Sequence, residues 1–164
     1  MHKEEYRFSF EVYHSSNDLL PADANLLEQA RAVTNIAYAP YSHFSVGAAA
    51  LLANGEIVKG TNQENASYPV GICAERALLS AIGTLYPNIP IQTMAISYHN
   101  FNQNTNSTHP ISPCGMCRQA LLEYEGRVQQ PVKLILSGLE GEVVIVPQSN
   151  LLLPLSFKGE HLKK

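Results

Sequence analysis

Three cysteines constrain the folds open to this chain more than any other feature: Cys73, Cys114 and Cys117. Cys114-Gly115-Met116-Cys117 is a C-x2-C pair, and Ser112-Pro113 before it reads as a helix start, with Ser112 as N-cap and Pro113 in the first helical position. If both cysteines sit in the first turn, they share one helix face. Cys73 also stands at the start of a helical pattern. The partial positive charge of a helix N-terminus favours thiolates. A fold that joins the three sulfurs must therefore set two helix N-termini side by side, aimed at one cation. Such thiolates reach zinc at about 2.3 Å, and three protein ligands leave an open position, as catalytic zinc requires. His43 and His109 are candidates for a fourth ligand brought close only in space.

Periodicity supplies the frame for such a meeting. Leu26, Ala30, Val33 and Ala37 share one helical face, with Asp23 as expected N-cap and Pro40 as stop. Phe44–Ala53 and Glu56–Thr61 read as strands joined by Asn54-Gly55, a strong hairpin signal. After a turn-rich loop over 62–71, Ala74, Ala77, Leu78, Ala81, Ile82 and Leu85 form the stripe of a second helix. Further strands are expected at Gln92–Tyr98, Val132–Ser137 and Glu142–Val146, with the third helix ending near Glu125, before Gly126. Residues 99–111 are polar and Asn-rich and read as a mobile loop. Strands alternating with helices imply an α/β layered sandwich whose hairpin supplies the antiparallel part. The expected division is an N-terminal extension over 1–21 with a short strand at Tyr6–Tyr13, a catalytic domain over 22–158 and a tail over 159–164.

Composition narrows the partners. The net charge is -3 and charged residues make up 15 % of 164 residues, with no long Lys/Arg run to hold a phosphate backbone. This favours a small, weakly charged ligand over nucleic acid. No window approaches the roughly 20 apolar residues of a membrane span, and the charged N-terminus has no apolar signal core. An odd number of cysteines suits metal binding in a reducing compartment, so the expected location is the cytoplasm.

Glu75 follows Cys73 by two residues, close enough to lie beside water in the open metal position and act as general base, then acid. Ala74 between them is small and keeps the site open. Cys73-Ala74-Glu75 with Pro113-Cys114-Gly115-Met116-Cys117 resembles the zinc nucleoside and nucleobase deaminase signature. Ala39–Ala48, Asn62–Pro69, Gly71–Arg76, Ser112–Gln119 and Leu152–Phe157 resemble the small homotetrameric cytidine deaminases. The likeness covers roughly 25–158. It implies a three-layer α/β/α sandwich with a five-stranded mixed sheet, one Zn2+ per subunit on Cys73, Cys114 and Cys117, and Glu75 as the catalytic acid/base. It implies further that Asn62 and Glu64 bond the ribose 3′-hydroxyl and that Phe44 and Ala74 line the nucleoside pocket. Ala66, Tyr68 and Phe157 would reach the site of a neighbouring subunit, so active sites are shared within a homotetramer. Arg76 would donate to the zinc thiolates; three thiolates leave zinc a formal charge of -1, and donors to sulfur restore the acidity of the bound water. The implied activity is hydrolytic deamination of cytidine and deoxycytidine in pyrimidine salvage.

Plainer roles exist for single residues. Asn62 and Glu64 can serve as turn and cap groups, Arg76 as a surface ion-pair partner, and Phe44 as core. Competing functions are an aminonucleoside antibiotic deaminase, a polynucleotide-editing deaminase and a non-catalytic zinc module. The extension and the 99–111 segment exceed the family pattern, and Ser45 and Gln63 replace its commoner apolar or proline residues.

Overall fold

The computed structural model describes residues 1–102 and 105–162. Along the chain run β1 (Glu11–Tyr13), α1 (Pro21–Val33), β2 (Phe44–Leu52), β3 (Ile57–Thr61), α2 (Ala74–Leu85), β4 (Ile91–Asn100), α3 (Gly115–Val128), β5 (Lys133–Ser137) and β6 (Val143–Val146). They form one mixed sheet in the order β1-β6-β5-β4-β2-β3. Only β4 and β5 run parallel, through the α3 crossover; the other neighbours are antiparallel.

Strand alternation divides the core into two layers. Ala49, Ala95 and Ile135 lie in one cross-strand row and meet Leu26, Leu27 and Ala30 of α1. Their neighbours Ala48, Ala50, Met94, Ile96, Leu134 and Leu136 face Leu78 and Ile82 of α2 and Leu121 and Tyr124 of α3. Each such leucine or isoleucine contributes about 1.5–3 kcal/mol by leaving water. The result is the expected three-layer sandwich, with α1 on one face and α2 and α3 on the other. The sheet has six strands rather than five, because Glu11–Tyr13 of the extension pairs antiparallel with β6, Val12 opposite Val144.

Two glycines let helices approach this sheet closely. A Cβ at Gly47 would lie 2.2 Å from the Ala30 carbonyl oxygen of α1. A Cβ at Gly60 would lie 2.6 Å from the Ala74 carbonyl oxygen and 2.8 Å from Leu78 Cβ of α2.

Helix ends depart from the sequence expectation in instructive ways. Leu20 is the N-cap of α1 with Pro21 in the first position, where its fixed φ and missing N–H fit. Asp23 lies inside the first turn, and its carboxylate instead takes Lys133 Nζ at 2.7 and 2.9 Å. The α-helix ends at Val33 and continues as a 3-10 turn over Thr34–Ile36, short of Pro40. Cys114, not Ser112, is the N-cap of α3. The same helix runs through Gly126 to Val128 and ends on Gln129 in the left-handed region at φ 55°. Buried Glu125 holds that end, its Oε1 accepting from Val132 N, Ser149 N and Ser149 Oγ. Within the expected 99–111 loop, residues 103 and 104 lie outside the described residues. His99 and Asn100 belong to β4, and buried Ser107 accepts a bond from Asn100 N at 2.9 Å. That part of the segment is therefore pinned to the sheet.

Candidate active site

The first turns of α2 and α3 meet on one sheet face, and both helices begin on a cysteine. Cys73 is the N-cap of α2, Cys114 the N-cap of α3, and Cys117 lies in the first turn of α3. Neither cap side chain bonds a backbone N–H of its helix, so both thiols are free to converge. Sγ of Cys73 is 3.8 Å from that of Cys114, which is 3.5 Å from that of Cys117, and all three lie within 4.8 Å of one another. A tetrahedral ion with sulfur at about 2.3 Å holds its sulfurs about 3.8 Å apart. The donor set thus fits one zinc. Among the described residues no histidine joins this cluster.

The thiols differ in acidity. Cys73 is lowered to about 6, first by the Cys117 thiol donating to it, with help from Cys114 and the Arg76 charge. Cys117 is raised by the same bond and by burial. One sulfur is therefore ready to bind as thiolate near neutral pH.

Glu75, in the first turn of α2, is 5 % exposed. Burial pushes its carboxyl above the ordinary range, partly opposed by a backbone hydrogen bond and one with Cys117. Ala74 is fully buried against the core. The half-buried Arg76 sets Nη1 4.0 Å from Met116 Sδ, bridging the two helix starts.

Asn62 and Glu64 sit beside the start of β2. Asn62 Oδ1 accepts from Val46 N at 2.7 Å and Nδ2 donates to Phe44 O at 2.9 Å. Glu64 Oε2 accepts from Tyr41 N at 2.9 Å and Ser42 N at 3.2 Å. The Ser42 side chain foremost, with these backbone bonds and the nearby His43, holds that carboxyl below its usual range against an opposing burial effect. Phe44 stacks on Tyr98, with centroids 4.9 Å apart and planes 12° apart. The sequence reading missed Tyr98; its place on the same sheet face as Phe44 follows only from the β2–β4 register. Ala66 is exposed, Tyr68 is 92 % exposed and Phe157 is 58 % exposed, all turned to solvent.

A three-sulfur centre keeps a coordination position open, and an acid of raised pKa beside it can move protons; the chain is a zinc hydrolase built on an α/β/α sandwich. The model of the cytidine and deoxycytidylate deaminase zinc-binding region matches residues 21–130. The chain is 34 % identical to the cytidine deaminase of Halalkalibacterium halodurans over 84 % of its own length and 95 % of that protein's. The crystal structure of cytidine deaminase from Burkholderia pseudomallei superposes with TM-score 0.68 at 36 % identity, covering 81 % of this chain and 97 % of the other. A blasticidin-S deaminase of Bacillus cereus is 29 % identical over 82 % of this chain and 91 % of its own length. The chain belongs to the cytidine and deoxycytidylate deaminase family.

Proposed function

We propose that this chain hydrolyses cytidine and deoxycytidine to uridine and deoxyuridine, releasing ammonia. The observation that carries the reading is a three-thiol cluster spaced for one ion with buried Glu75 at its edge, in a member of this family. Cys73, Cys114 and Cys117 would hold zinc, whose Lewis acidity would make water at the site nucleophilic near neutral pH.

Glu75 takes a proton from the attacking water as its oxygen bonds to C4, and delivers that proton to ring N3. It then moves the proton of the new C4 hydroxyl to the amine. The C4–N4 bond breaks, ammonia leaves and the C4 carbonyl forms, with the N3 proton retained. The raised pKa of Glu75 suits a group that must both accept and give a proton. Arg76 draws negative charge from the sulfurs, consistent with its lowering effect on Cys73.

Asn62 and Glu64 act on the sugar 3′-hydroxyl. Their backbone bonds fix both side chains and still leave Asn62 one N–H and Glu64 one oxygen for a ligand. Phe44 and Ala74 line the nucleoside pocket. Ala66, Tyr68 and Phe157 complete the pocket of a neighbouring subunit in a homotetramer. The supporting feature is the exposure of large apolar groups near them, Val70 at 64 % and Leu155 at 106 %. Residues 22–158 act as the catalytic domain, in a reducing compartment such as the cytoplasm where free thiols persist. Among the described residues no helix is long and apolar enough to cross a membrane.

Absorbance assays with cytidine, deoxycytidine and blasticidin S, run beside metal analysis, test the activity. Loss of cytidine absorbance is expected, and blasticidin turnover alone would reassign the substrate. Glu75→Gln should retain zinc and lose at least about 100-fold in kcat; unchanged turnover would remove Glu75 from the mechanism. Mass in solution tests the tetramer.

A further inference from the structure

The segment that delivers Cys114 has few anchors. Among the described residues, the backbone of 109–113 makes one hydrogen bond, in which the Pro113 carbonyl accepts from Arg118 Nε at 2.7 Å. Arg118 lies one turn into α3, and its backbone N–H bonds the Cys114 carbonyl at 2.9 Å. Its Nη1 donates to the Leu152 carbonyl at 3.0 Å. The next residue, Gln119, donates from Nε2 to the Phe157 carbonyl at 3.0 Å. Leu151 and Leu152 pack against the α2/α3 core.

We propose that Arg118 is a positioning residue, whose planar fork clasps the Cys114 loop to the C-terminal tail and so holds that sulfur in ligating geometry. The inference rests on the metal reading above. The guanidinium bonds of Arg118 go to two backbone carbonyls and none goes to a sulfur, so its role is geometric. Two carbonyls from chain segments 39 positions apart are held by two N–H groups of one rigid guanidinium, Pro113 on one side and Leu152 on the other. Buried Pro113 transmits the hold directly to Cys114, since among the described residues no other hydrogen bond holds the backbone of 109–113. Gln119 extends the clasp to Phe157, the residue assigned to the neighbouring subunit's pocket. Metal retention and tail placement are thereby tied to one helical turn.

The test is the rate at which full-length protein loses zinc to an excess of chelator, with thermal unfolding measured in parallel. Arg118→Gln should release zinc about ten-fold faster or more. Arg118→Lys, with the charge but without the fork, should fall between the two. Glu125→Gln loosens the same tail at Ser149 without touching the Cys114 loop, and serves as the stability control. It should lower the Tm and leave zinc release near wild type. Equal release rates in wild type and both Arg118 variants overturn the proposal. So does acceleration matched by Glu125→Gln at the same loss of Tm. If Arg118→Gln does not fold, Arg118→Lys alone decides by the same comparison. A wild-type protein that holds no zinc would instead refute the metal reading itself.

Discussion

Replacing Gly60 with alanine should damage the metal centre although Gly60 is not part of it. The added Cβ falls 2.6 Å from the Ala74 carbonyl oxygen and 2.8 Å from both Leu78 Cβ and Leu78 N. All three are helix α2, and two are backbone, so no flexible side chain can yield. Ordinary van der Waals contact begins at 3.4 Å. The first turn of α2 must therefore retreat from β3 by roughly 0.8 Å in a close-packed interior. Cys73 and Glu75 ride on that turn. Metal–sulfur distances tolerate about 0.2 Å, and a displacement near 1 Å at a reacting centre costs about 100-fold in rate. Gly60→Ala should thus lose about 1–3 kcal/mol of stability by overpacking, bind zinc less tightly and lose about 100-fold in kcat/KM. The comparison is Gly47→Ala, whose Cβ meets Ala30 O at 2.2 Å and Val33 Cγ1 at 2.7 Å on the opposite sheet face. That variant should be destabilised at least as much while spared the specific loss of zinc. Urea unfolding, chelator competition and the absorbance assay separate the two. Wild-type zinc affinity in Gly60→Ala, or equal zinc loss in both, would refute the reasoning.

Cys114→Ser should leave too few sulfurs for the ion: metal analysis after dialysis should find the site largely depleted and turnover lost. Arg31→Met removes a buried guanidinium that bonds Gly138 O, Ser137 Oγ, Ser16 Oγ and Glu28 Oε1. It should cost about 2–4 kcal/mol in urea unfolding, because the carbonyl and hydroxyl partners stay behind unpaired. For Glu64 the folded-state pKa is lowered by its bonds to Ser42 and Tyr41. Its stabilising effect is complete above the unfolded value of about 4.3 and fades as pH falls through the lower folded value. The Tm difference between wild type and Glu64→Gln should hold at neutral pH and close in acid; a gap that widened in acid would contradict the assignment.

Much of this site is written locally. The hairpin turn Asn54-Gly55, the α2 stripe and the Cys73/Glu75 spacing are short-range signals, and each element lies where its pattern put it, within two residues. Helix caps are less legible, because residue preference alone does not decide which candidate takes the cap position. Asp23 has a stronger claim in Lys133, 110 positions away, and Ser112 loses the cap to Cys114. The short strand expected at Tyr6–Tyr13 is present only as Glu11–Tyr13, and its place in the sheet as a sixth strand depends on pairing with β6, which no local pattern encodes. The clasp of Arg118 joins Pro113 to Leu152, a contact that no spacing rule encodes.

Cys73 and Cys114 lie 41 residues apart. An ion joining them closes that length of chain as a cross-link does, and by the chain-entropy measure for a covalent bridge this is worth about 4 kcal/mol against the unfolded ensemble. The tethered span runs from the start of α2 through the central strand β4 to the start of α3. Stripping the metal therefore takes away a staple along with the Lewis acid, and this chain's resistance to heat and proteases becomes a gauge of its metal supply.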